Sequence, residues 1–224
     1  MILAQTTEPF IRWNWVWSHL DMIWSRTVQH LALTGIALGV GFLISIVLSM
    51  IALRYRRAYA PITWVTGVLY SIPSLALFVM LIPLTGLSVA TAEIGLVSYT
   101  LLIFIRNIVA GIDGVPSEVR EAALGMGYTR RRMLLEIELP IALPVVIAGI
   151  RIATVTTVGL VTITALIGLG GLGQLILDGL NRLFTTPLII GAVLSVVLAL
   201  LLDGVLVLVE RALTPWARRK ATIG

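Results

Sequence analysis

Five stretches of this chain are each long and apolar enough to cross a bilayer, at roughly residues 27–53, 62–84, 88–112, 141–168 and 187–209. A spanning helix needs about 20 predominantly apolar residues. Lipid offers backbone groups no hydrogen-bonding partner, so such segments must be helical or close into a barrel. Of the 224 residues, 58% are hydrophobic and only 12% charged, against about 25% charged in soluble domains. A soluble core cannot absorb that much apolar surface. The expectation is an all-α polytopic membrane protein with about five transmembrane helices.

Several function classes drop out. With no cysteine, disulfides and thiolate metal sites are excluded. His19 and His30 are eleven apart, without metal-ligand spacing, and are expected to be interfacial residues; no metal ligand set is found. Paired carboxylates, a Ser/His arrangement and a metal cluster are missing, so no residue is assigned a catalytic role. A phosphate-binding P-loop ends in Gly-Lys-Ser/Thr, whereas the single lysine, Lys220, is followed by Ala221. "GLGGLG" (168–173) lacks the βαβ context of a nucleotide fingerprint and is expected to make a tight external turn or re-entrant segment. No cofactor is expected in this chain.

Residues 1–26 carry Trp13, Trp15, Trp17 and Trp24. Indoles prefer the headgroup layer, so this is read as a periplasmic interfacial segment, with a short re-entrant helix as the alternative. "MILAQTTEPF" lacks the features of a cleavable signal. Basic residues set orientation. Arg54, Arg56, Arg57, Arg120, Arg130, Arg131, Arg132, Arg211, Arg218, Arg219 and Lys220 fall on one side, against Arg12, Arg26 and Arg182 on the other. The N-terminus is therefore expected outside and the C-terminus in the cytoplasm. The division is a segment 1–26, a transmembrane domain 27–210 with a cytoplasmic loop 113–140, and a basic tail 211–224.

That loop is the longest inward-facing one. Val119, Ala122, Ala123 and Met126 form one apolar stripe at i, i+3, i+4, i+7. Pro116 suits a first helical turn. Gly125 and Gly127 close the helix, Thr129 caps a second, and Pro140 is expected to limit that second helix before the fourth span. Small side chains such as Ala122 and Ala123 would let a cytoplasmic partner approach closely; the plainer alternative is an amphipathic loop on the inner leaflet.

At this point the chain resembles the permeases of ABC importers. Glu121-Ala122-Ala123, three residues, Gly127, nine residues, Ile137, one residue, Leu139-Pro140 matches their "EAA" loop. The resemblance implies a coupling helix that sits in a cleft of a separate ATPase, with Glu121, Ala122, Ala123 and Gly127 making the contact and ATP and Mg bound by that partner. "SIPSLALFVMLIPLTG" (71–86), "RNIVAGIDGV" (106–115), "LPIALPVVIAGIR" (139–151) and "ALIGLGGLGQLILDGL" (165–180) look like the osmoprotectant branch, which imports glycine betaine, carnitine and choline. Methionine-importer permeases share the plan. The resemblance further implies a second permease, identical or paralogous, and an extracytoplasmic substrate-binding protein in a bacterial inner membrane. A secondary transporter or a membrane scaffold is the reading from another class.

Charges inside spans are expensive. Arg106, Asp203 and Arg151 lie at depths of roughly 9, 9 and 15 Å at 1.5 Å per residue, so Asp203 is expected to bridge to Arg151 or Arg106, as a lock between helices or as a gate. Thr154, Thr156, Thr157, Thr162 and Thr164 return to their own backbone or, at Thr154 and Thr157, line a pathway. Tyr70, Ser71 and Ser74 flank Pro73, which should kink the second span, for packing or to present carbonyls and the Tyr70 ring to a passing cation.

Overall fold

The structure is a computed structural model that describes residues 9–218. The rest of the expected terminal segments, with Arg219 and Lys220, lies outside the described residues. Within them the chain is helical, with no strand. A short α1 (Trp13–Ser18) leads into α2 (Leu20–Arg54), α3 (Arg56–Ser71), α4 (Ser74–Thr85) and α5 (Val89–Asp113). Then come α6 (Ser117–Gly125), α7 (Arg130–Met133), a π-helical turn Leu134–Glu138 and α8 (Leu139–Ile163). A 3-10 turn Thr164–Ile167, α9 (Leu172–Asn181), α10 (Thr185–Leu213) and a 3-10 turn Pro215–Arg218 complete it.

Four helical runs are individually long and apolar enough to span: Leu20–Arg54, Val89–Asp113, Arg130–Ile167 and Thr185–Leu213. The expected second span is not one helix. It breaks between α3 and α4 with a bend of 98°, and counts as a fifth span only as a broken pair. Proline forces the residue before it out of helical conformation, and Ile72 is extended at φ −67°, ψ 131°. Pro73 follows at φ −54°, ψ 131°, so the sequence-expected kink becomes a corner. The carbonyl of Ile72 accepts a hydrogen bond from the Tyr99 hydroxyl of α5. A freed backbone group at membrane depth is thus satisfied by a neighbouring helix.

The first long helix begins at Leu20, seven residues before the expected stretch. Trp24 and Arg26 therefore belong to α2, while α1 ends at a break on His19, φ −126°. Trp15 stacks on His19 with ring centroids 4.4 Å apart. Thr185 Oγ1 donates to Phe10 O at 2.8 Å and Arg12 N to Thr186 Oγ1 at 2.9 Å, which pins this entry strip to the start of α10. His30 is not interfacial. It is fully buried, with Nε2 donating to the Val158 carbonyl at 3.1 Å.

Helix α5 lies at the centre. Leu33 and Ala37 of α2, Phe78 of α4, Ala92 and Leu96 of α5, and Val161 of α8 share one buried cluster. Ala52, Ile105 and Val109 form another toward the opposite end. Without water to drive apolar faces together, membrane helices associate where small residues allow close approach. A Cβ on Gly41 would lie 1.9 Å from Thr100 Oγ1, and one on Gly149 2.5 Å from Asn107 Cβ. The glycine run 168–173 does turn the chain sharply, with Gly168 and Gly171 at φ +84° and +51°. It feeds α9, a helix the sequence reading did not separate, whose Leu172 and Leu175 pack with Ile23 and Leu198.

Candidate functional site

The loop 113–140 folds into a helical projection at the end of the bundle where α5 ends and α8 begins. Gly114 caps α5 and Val115 is buried behind it. Pro116 is the N-cap of α6, one position before the first turn. The helix closes with the paired bonds of a Schellman motif: Tyr128 N donates to Ala123 O and Gly127 N to Leu124 O, each at 3.0 Å. Gly127 takes the left-handed conformation, φ +80°, as expected of the turn residue. Thr129 caps α7, its Oγ1 accepting from Arg132 N at 3.4 Å.

Pro140 does not limit the second helix. The run continues from Arg130 to Ile167, because the wide turn at Leu134–Glu138 has shifted the hydrogen bonds. Leu139 N reaches Leu134 O, five residues back, and Pro140, which has no N–H to donate, sits in the first turn of α8 just after it. The expected stripe is also divided. Ala123 is 0% exposed and Val119 half-buried, both turned toward the bundle, whereas Glu121, Ala122, Leu124, Gly125 and Met126 are exposed. Ala123 thus seats the helix and leaves the outward face to its neighbours. Ile137 is half-buried in the π turn, Leu139 exposed and Pro140 half-buried.

What seats α6 is a contact that spacing did not reveal. Arg120 Nε donates to Glu138 Oε1 at 2.6 Å, and Nη2 donates to the Ile112 carbonyl at 2.5 Å. One guanidinium therefore joins α6 to the end of α5 and to the π turn that opens α8. Glu138 is 8% exposed, and a buried carboxylate of this kind persists when paired. Nearby, Arg56 grips Asp113 through two bonds of 2.7 and 2.5 Å, tying α3 to α5, and Arg132 pairs with Glu136 at 3.0 Å within one helix. A carboxylate in an otherwise apolar run, two residues before Pro140, was the available signal for Glu138. Outward, Leu124, Met126 and Leu135 remain exposed among polar residues; an apolar patch with a polar rim marks an interaction surface.

The intramembrane charges resolve in one of the two expected ways. Arg151 Nε and Nη2 meet Asp203 Oδ1 and Oδ2 at 2.8 and 3.0 Å, and Nη1 reaches Glu210 Oε2 at 3.3 Å. Arg106 takes no part: it is exposed and makes no ion pair among the described residues. It lies instead on an open groove of about 1000 Å³ at the α3–α4 corner, shared with Thr63, Trp64, Tyr70, Ser71 and Leu102. Tyr70 meets Tyr99 edge-on at 5.9 Å, and Ser71 donates back to Gly67 O at 2.8 Å. Ser74 opens α4 half-buried, outside that groove. Thr154 donates to Ile150 O at 2.8 Å, and it and Thr157 are buried, so neither faces an open surface of this chain.

The OsmW osmoprotectant import permease of Salmonella typhimurium is 38% identical over 196 residues, covering 85% of this chain and 91% of its own. The glycine betaine/carnitine/choline permease OpuCB of Bacillus subtilis is 34% identical over 190 residues, covering 85% and 88%. In fold, the chain is similar to one from the inward-facing MetNI methionine ABC transporter, with TM-score 0.72 at 22% identity, covering 91% of this chain and 100% of that one. A family model described as "Binding-protein-dependent transport system inner membrane component" matches residues 41–215, and the chain belongs to that family.

Proposed function

We propose that this chain is the permease subunit of an ATP-driven importer of quaternary-ammonium osmoprotectants (glycine betaine, carnitine, choline). The observation that carries the substrate class is its similarity, over most of its length, to permeases that handle those solutes. A separate ATPase docks on the outward face of α6, and an external binding protein delivers the solute. A second permease, a copy or a paralogue, completes the pathway. The N-terminus lies outside and the C-terminus in the cytoplasm, in keeping with Arg54, Arg56, Arg57, Arg130, Arg131 and Arg132 gathered on the α6 side.

Closure of the ATPase on ATP draws two docked α6 helices together, and the bundles rock as rigid bodies between two arrangements. The seating of α6 on the end of α5 and the π turn through Arg120 supports this, since a loop without such contacts would absorb the displacement. The test is uptake into proteoliposomes holding the chain with its co-purifying ATPase, permease partner and binding protein. ATP-dependent uptake of glycine betaine, carnitine or choline supports the reading. Uptake of methionine alone overturns the substrate class, and flux without ATP overturns the coupling.

A further inference from the structure

Arg106 is a guanidinium on a membrane helix with no counter-ion among the described residues. It lies seven residues before the end of α5 at Asp113, about 10 Å along the axis. Asp203, which the sequence offers to either Arg106 or Arg151, gives both carboxylate oxygens to Arg151. None of the residues lining the groove is acidic, and Arg106 is the one charge among them. An arginine stays protonated under all ordinary conditions, so at this depth it needs water or an anion. The groove also presents Trp64 and Tyr70, both exposed. The Tyr70 ring packs against Tyr99, whose hydroxyl is held on the Ile72 carbonyl, so its position is fixed by the α3–α4 corner.

These groups suit the two ends of one kind of molecule. A quaternary ammonium has no N–H to donate, and is recognised by aromatic faces. A carboxylate is recognised by the planar fork of arginine. We propose that the groove is a passage site for small zwitterions, in which Arg106 holds the carboxylate while Trp64 and Tyr70 face the quaternary ammonium. The inference rests on the importer reading above and adds a preference to it. Substrates bearing a carboxylate, such as glycine betaine and carnitine, gain from Arg106, and choline, which has none, does not.

The experiment compares ATP-dependent uptake of glycine betaine, carnitine and choline by the complete transporter, wild type and Arg106→Gln, with ATPase co-purification as the check on assembly. Loss of the charge-assisted bond is expected to lower betaine and carnitine uptake tenfold or more, with choline changed less than twofold. Arg106→Lys keeps the charge but loses the fork; it is expected to raise KM for the two carboxylates and leave choline unchanged. That ratio decides the matter if the Gln variant does not assemble. Equal losses for betaine and choline, or none for either, overturn the role of Arg106. A wild type that imports choline but no betaine overturns the zwitterion preference and leaves the importer standing. A wild type that imports no quaternary amine sinks both.

Discussion

Arg120 of α6 and Glu138 of the π turn meet at 2.6 Å across 18 positions of sequence, and the same guanidinium holds the Ile112 carbonyl at 2.5 Å. A displacement of α6 is thereby delivered to α5 and α8 together. Replacing Arg120 with Ala leaves Glu138 buried without its partner, at a cost of about 2 kcal/mol, given that hydrogen bonds to charged groups contribute about 1.5–3 and that the Arg120 side chain is 28% exposed. The expected phenotype is uncoupling: uptake falls at least fivefold while ATP hydrolysis by the assembled complex stays within twofold. Arg120→Lys keeps one contact and should fall between. Parallel loss of uptake and hydrolysis would show that Arg120 only supports folding.

The outward face of α6 gives a second prediction. Leu124 and Met126 are exposed by 55% and 68%, whereas Ala123 is enclosed. Leu124→Glu or Met126→Glu should leave permease yield and thermal stability unchanged within about 0.5 kcal/mol, as for surface substitutions generally. Each should nevertheless abolish ATPase co-purification, since an unpaired charge would be buried at the junction. Ala123→Leu should do the reverse, lowering stability because the seat has no room. Retained ATPase binding in both Glu variants would move the docking surface elsewhere.

Much of this was legible in the sequence, for identifiable reasons. The spans could be read because apolar length is a local property. The Gly127 turn and the Thr129 cap could be read because each depends on one residue's own chemistry. That Asp203 would bridge to an arginine of a neighbouring span, Arg151 or Arg106, followed from the cost of a charge in the membrane. What failed depended on tertiary contacts. Pro73 announces a kink, but the 98° corner also reflects Phe78 folding back onto Gly95, where a Cβ would sit 2.4 Å from the ring. Adjacent alanines, Ala122 and Ala123, look alike in sequence and face opposite ways because Arg120 fixes the rotation of α6. Pro140 reads as a stop, and only the π turn before it lets the helix continue. Depth alone would have matched Asp203 to Arg106, and the packing of α8 against α10 gave it to Arg151 instead.

The three-membered cluster on α8 and α10 gives an ordering. Arg151 serves both Asp203 and Glu210, so Arg151→Ala strands two carboxylates, Asp203→Ala leaves Arg151 with Glu210, and Glu210→Ala leaves the closer, two-bonded pair. A charge at the centre of a membrane helix costs about 2.5–3.5 kcal/mol on insertion scales, lowered here because all three side chains retain access to their surroundings, at 33%, 29% and 28%. Melting temperatures in detergent should fall in the order Arg151→Ala, then Asp203→Ala, then Glu210→Ala. Arg151→Ala combined with Asp203→Ala should be less damaging than the sum of the two. Additive losses would mean that the charges contribute separately.

Glycines in helices supply the last test, because two of them answer oppositely to the same methyl group. A Cβ on Gly173 would lie 2.2 Å from the Thr162 carbonyl oxygen and 2.5 Å from Thr162 Cα, whereas one on Gly204 meets nothing within 4 Å. Backbone cannot move aside as a flexible side chain can, so Gly173→Ala must push α9 off the end of α8, at about 3 kcal/mol or more given that ordinary overpacking costs about 1–3. Gly204→Ala removes a weak helix former from the exposed face of α10 and should raise stability by about 0.5–1 kcal/mol. Thermal unfolding of the two purified variants beside the wild type measures both. Equal melting temperatures for the two would mean that α9 does not pack on Thr162 as closely as Gly173 allows.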